Sequence, residues 1–249
     1  MKLRFGERSR AWVLAAALAL LGACDDNASR TQAPAPVPFE AVGEAGAYAG
    51  LSGDALVALR LAHLKGYVLA AEAIADNGDV QQAAALIDEG ILSVYRPAAD
   101  EFGALDIVPV RAAADAVDAS YGEFTETLAA AKAAFETAAS GLSANRADTA
   151  LHMTQIATGL YEGVVEDEFV DPLGYQASYG AALAVEDTLE QGGAQLAAMD
   201  PRAYEQALLE AMAFAALWPS PEAPRTPSPY SAVLEQAERV GLALSPLRR

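Results

Sequence analysis

The chain has 249 residues, 53% of them hydrophobic and only 7% aromatic, with a formal net charge of −18. That length allows one domain, or two small ones, with a sizeable core. Much of the apolar share is alanine, a strong helix former and a weak strand former, which directs the fold to all-α. An acidic surface repels phosphate backbones and argues against nucleic acid as a partner, and a single cysteine excludes an internal disulfide and a cysteine-held zinc.

The first ten residues are basic, with Lys2, Arg4, Arg8 and Arg10 against Glu7. Ala11 to Leu21 is an apolar run, too short to span a bilayer comfortably but of signal-peptide length. It ends in Leu21-Gly22-Ala23-Cys24, where a leucine and two small residues precede the only cysteine. This tetrad resembles the lipobox of bacterial lipoproteins. The resemblance implies a signal peptide over residues 1–23, a diacylglyceryl group on the Cys24 thiol, cleavage before Cys24, and a further acyl chain on the new amino group. Each buried methylene of an acyl chain contributes about 0.8 kcal/mol, so two or three chains anchor a protein firmly to a membrane without spanning it. Asp25 resembles the inner-membrane retention signal of enterobacterial lipoproteins, which implies a periplasm-facing protein held on that membrane. Residues 24–50 read as a tether, because Pro34, Pro36 and Pro38 favour an extended spacer.

Residues 51–218 read as an antiparallel helical bundle. Ser52 is a candidate N-cap for a helix whose Leu56, Leu59, His63, Tyr67, Ala70 and Ile74 recur at three- and four-residue spacing. Asn77-Gly78 stops it, and Asp79 starts a second helix through Ala83, Leu86 and Ile87 to Gly90. Pro97, Gly103 and Pro109 break the next stretch. Val110 to Ser140 then reads as one helix, with Val117, Tyr121, Phe124, Leu128 and Phe135 expected inside. Asn145 caps the next helix, which carries Leu151, Ile156, Leu160, Tyr161 and Val164. Asp171-Pro172 and Asp200-Pro201 are the clearest helix starts, an N-cap followed by proline at the first helical position. Residues 219–249 form a proline-rich loop and a short helix from Ser231, expected to dock through Val233, Leu234, Ala237 and Val240.

Little in the pattern speaks of catalysis. There is no nucleophile elbow, phosphate-binding glycine loop or His-Glu-x-x-His helix. His63 and His152 are the two histidines. His63 lies on an apolar helix face, where a core histidine with a satisfied hydrogen bond is the plain reading. The sharper reading makes it a ligand for iron or zinc together with Glu72, Asp88 and Glu89, since bundle interiors build imidazole–carboxylate sites. Glu162, Glu166, Asp167 and Glu168 form an acidic run that reads as solvated surface, or as a patch for a cation or a basic partner.

The run from Tyr161 to Gln176, with Tyr175-Gln176 after an acidic turn, resembles a helical segment in the periplasmic extensions of bacterial iron permeases. The similarity covers about 30 residues and implies an accessory role in iron or other metal uptake. The leading expectation is therefore a membrane-anchored, non-enzymatic binding or accessory protein. A protein–protein scaffold of the cell envelope, or an enzyme with a site of dispersed carboxylates, are the alternatives.

Overall fold

The computed structural model describes residues 43–165 and 170–248. The signal peptide, lipobox, Cys24 and Asp25 lie outside the described residues, as do Glu166, Asp167 and Glu168 of the acidic run. Among the described residues every regular element is helical: α1 (Gly43–Tyr48), α2 (Gly53–Asp76), α3 (Val80–Gly90), α4 (Val108–Ala114), α5 (Tyr121–Ala139), α6 (Arg146–Val165), α7 (Pro172–Gln191), α8 (Gly193–Met199), α9 (Pro201–Ala215) and α10 (Tyr230–Leu244). The all-α expectation holds, and no described helix is long and apolar enough to cross a membrane.

Local chemistry sets most boundaries. Asp79 accepts from the Gln82 amide, Asp171 from Leu173 and Gly174, and Asp200 from Arg202 and Ala203, so three helix starts rest on aspartate caps. Asn145 does the same for Ala147 and Asp148. Ser120 and Glu123 form a reciprocal capping box that starts α5. Ser52 stands at the expected N-cap of α2, but its side chain makes no capping bond. After Gly90 the chain widens through a π turn (Ile91–Tyr95) and then tightens through a 3₁₀ turn (Arg96–Glu101).

Three expectations need correction. Residues 43–48 are not tether but α1, because Ala47 and Tyr48 find partners on α2 and α6. The single helix expected from Val110 to Ser140 is two, α4 and α5, since the Ser120 capping box restarts the chain after a turn. Val117 falls in that break and Tyr121 opens α5, so both are exposed rather than buried.

The core has two halves. In one, α2 to α5 enclose Leu64, Val68, Ile74, Ile87, Phe102, Phe124, Leu128 and Phe135. In the other, α6, α7, α9 and α10 enclose Met153, Ile156, Tyr161, Tyr175, Phe214, Trp218, Val240 and Leu244. The halves meet where α2 crosses α7 at Gly66 and Gly180. A methyl group on Gly66 would lie 2.8 Å from the Gly180 carbonyl oxygen, so the backbones touch with no side chain between them. The proline-rich loop is buckled down beside this crossing. Trp218 Nε1 donates to Ser178 Oγ at 2.9 Å, Tyr161 Oη to the Ser228 carbonyl at 2.7 Å, and Ser228 Oγ to the Leu217 carbonyl at 2.7 Å. The short helix beyond it docks as expected, burying Val233, Ala237, Val240 and Leu244.

Candidate functional site

Two places gather ionisable groups. The first surrounds His63 on α2. Its neighbours Leu64 and Val68 are fully buried and draw the imidazole inside, leaving it 1% exposed. Tyr48 Oη lies 2.8 Å from His63 Nδ1, and the Glu44 carboxylate is 3.9 Å from the same nitrogen. The Arg60 guanidinium lies 3.8 Å above the Tyr48 ring, while its Nε donates to Glu101 at 2.8 Å. Tyr67, one turn beyond His63, tilts its ring 5.9 Å away, and Ser93 Oγ donates to its hydroxyl at 3.5 Å.

Burial dominates the electrostatics here. It pushes the His63 pKa down to about 3, with Arg60 adding to the effect, so the ring is neutral near pH 7. It pushes the Tyr48 and Tyr67 phenols and the Glu44 carboxyl up, Arg60 pulling against it at Tyr48 and Glu44. Tyr48 Oη and His63 Nδ1 share one hydrogen bond whose direction follows the ring tautomer. The other ring nitrogen, Nε2, is buried without a hydrogen-bond partner.

The expected ligand set does not come together around His63. Glu72 points to α5, where it pairs with Lys132 at 2.5 Å. Asp88 is exposed, and Glu89 is partly exposed, close enough for its charge to raise the Tyr67 pKa. Among the described residues no three His, Cys, Asp or Glu side chains group to hold a metal ion, so the donors present do not fit iron or zinc. His152 also lies apart, its pKa lowered by burial.

The second place is a groove of about 340 Å³ along α2 and α7. Leu69, Ala73, Leu183 and Tyr179 supply its apolar surface, and Glu72, Asp76, Glu186, Asp187 and Glu190 its carboxylates. Three of these are compensated within the fold. Glu72 has Lys132, Asp76 accepts from Tyr121 Oη at 2.7 Å, and Asp187 takes both oxygens to Lys65 Nζ at 2.7 and 2.8 Å. Glu186 has its pKa raised by burial and then by the charge of Glu190. The groove thus joins apolar area with net negative charge, a surface that suits a cation with an apolar body.

Sequence reasoning found His63 but missed Tyr48, Glu44, Arg60, Lys65 and Asp187. Lys65 carried a signal: a lysine between Leu61, Leu64 and Val68 on a buried helix needs a carboxylate partner. Tyr48 and Glu44 carried none, because they followed a proline-rich stretch and looked like its continuation. No protein-family model, curated protein or solved structure matches this chain.

Proposed function

We propose that the protein is a lipoprotein of the bacterial cell envelope, anchored through acylated Cys24, with its helical bundle facing the periplasm as a non-enzymatic binding or accessory module. The observation that carries this reading is the coincidence of a basic head, an apolar run and the sequence Leu21-Gly22-Ala23 directly before the only cysteine. A proline-rich stretch between that cysteine and the bundle supports it, since such a stretch holds a domain away from lipid headgroups. Asp25 favours retention on the inner membrane.

The binding role is supported by the acidic groove along α2 and α7, which suits a cationic partner with apolar surface. It is further supported by the perturbed groups around His63, which bond to α1 and to one another. The metal-uptake reading has no donor set among the described residues, and a protein partner is the better match to the groove.

Mass spectrometry of the N-terminal peptide from membrane fractions tests the anchor. The expected product begins at a diacylglyceryl-modified Cys24 and is lost in Cys24→Ser, which accumulates as a larger soluble or loosely held precursor. A mature chain that begins elsewhere, or a Cys24→Ser protein processed and membrane-bound like wild type, would overturn the reading. A scaffold role differs in its readout: a partner would remain bound when Glu186 and Glu190 are replaced by glutamine.

A further inference from the structure

We infer that α1 is an acid-released latch, held shut on the bundle by neutral His63. His63 reaches this short helix through the Tyr48 hydroxyl. The Arg60 guanidinium over the Tyr48 ring and the packing of Ala47 and Tyr48 on the core supply the rest of its hold. Ala47 is the only buried residue of its six, and segments with so little buried surface open at low cost. Gly43 fits against Gly159, where an added methyl group would lie 2.5 Å from the Gly43 Cα. Immediately after α1, Gly50 and Gly53 adopt φ of 77° and 57°, a left-handed conformation in which glycine turns freely. The latch therefore has a clasp on one side and a hinge on the other.

The clasp favours one protonation state. Neutral His63 can accept the Tyr48 hydroxyl hydrogen bond on Nδ1; an imidazolium can only donate there, which leaves the hydroxyl proton to find another acceptor. Protonation would also place a cation, sealed from water, beside the Arg60 guanidinium. The charged and titratable groups around His63 are Glu44 and Tyr48 on α1, Arg60 and Tyr67 on α2, and Glu89 beyond Tyr67. Among them Glu44 could accept the new charge at 3.9 Å, but acid protonates it as well, and its raised pKa makes that easier in the closed state. Opening frees His63 to titrate near its ordinary value of about 6.5. The open population then rises as the pH falls through the interval between that value and the closed-state one. The inference does not depend on what the bundle binds or on the lipid anchor.

Hydrogen exchange on the full-length protein tests it, read as backbone protection over residues 43–50 and corrected for the intrinsic pH dependence of exchange. Protection should fall about a hundredfold between pH 7.5 and 4.5, one decade per unit below the ordinary histidine value, while amides in the middle of α2 and α6 stay protected. In His63→Gln the fall in protection with acid should vanish. In Tyr48→Phe protection should already be about fivefold lower at pH 7.5, the equivalent of one ordinary hydrogen bond. Glu44→Gln should steepen the dependence, because the raised carboxyl works against opening. A flat profile in the wild type, an unchanged slope in His63→Gln, or loss of α1 protection only together with α2 and α6 would each overturn the latch.

Discussion

The crossing of α2 and α7 offers the sharpest test of how the two halves are joined. Replacing Gly66 by alanine places a methyl group 2.8 Å from the Gly180 carbonyl oxygen, 2.9 Å from its carbon and 3.3 Å from the Ala181 nitrogen. All three are backbone atoms, so no rotamer change relieves the clash. Even a close carbon–oxygen contact in proteins sits at about 3.3–3.6 Å, so the two helices must part by roughly half an ångström. Overpacking of this kind costs about 1–3 kcal/mol, against about 0.5–1 kcal/mol returned by replacing a helical glycine with alanine. The expected net loss is about 1–2 kcal/mol. Gly122 on α5 is the control, since a methyl group there meets nothing within 4 Å and only the propensity gain applies. Urea unfolding followed by far-ultraviolet circular dichroism should therefore shift in opposite directions for Gly66→Ala and Gly122→Ala. A Gly66→Ala protein as stable as the wild type would refute the contact as the joint between the halves.

Other expectations follow from single side chains. Asp187→Asn strands the Lys65 ammonium, 4% exposed, without its carboxylate and should cost about 3 kcal/mol in urea unfolding; Lys65→Met should cost less, because Asp187 is a quarter exposed and keeps Gln191. Equal destabilisation of the two variants would show that the stranded buried charge does not set the cost. Global stability should also fall in acid. The depressed His63 pKa means that the unfolded chain binds a proton the closed fold refuses, so about 1.4 kcal/mol is lost per pH unit below the ordinary histidine value until α1 opens and His63 takes its proton within the fold, and His63→Gln should flatten the curve. Tyr161→Phe removes the bond to the Ser228 carbonyl and should speed proteolysis within the Pro219–Pro229 loop while leaving the helical circular dichroism unchanged; unchanged cleavage would show that the remaining bonds hold the loop without it.

Helix starts were the legible part of this fold, and the reason is chemical. Asp79, Asn145, Asp171 and Asp200 cap helices through side chains acting two or three residues away, a range that a local pattern records. The break between α4 and α5 was less visible. Val117 and Tyr121 continue an apolar rhythm, and only the Ser120–Glu123 pair marks the restart. The candidate sites were hidden for a different reason. His63 meets Tyr48 fifteen residues away, and Lys65 meets Asp187 at a separation of 122, distances over which helical periodicity says nothing. The same limit applied to metal binding. Glu72 and His63 share one helix, yet nine residues of helical rotation turn them to opposite sides.

The first turn of α6 is completed from far along the chain. Asn145 donates to the Leu247 carbonyl at 3.1 Å, Arg248 pairs with Asp148 at 2.5 Å, and Leu247 is fully buried in the same core. A chain emerging vectorially, from a ribosome or through a membrane, would thus expose α6 with its start uncovered until some hundred further residues arrived. That half closes only once residues 247 and 248 have arrived. Until then the apolar face of α6 is open to proteases and to any chaperone stationed at the exit.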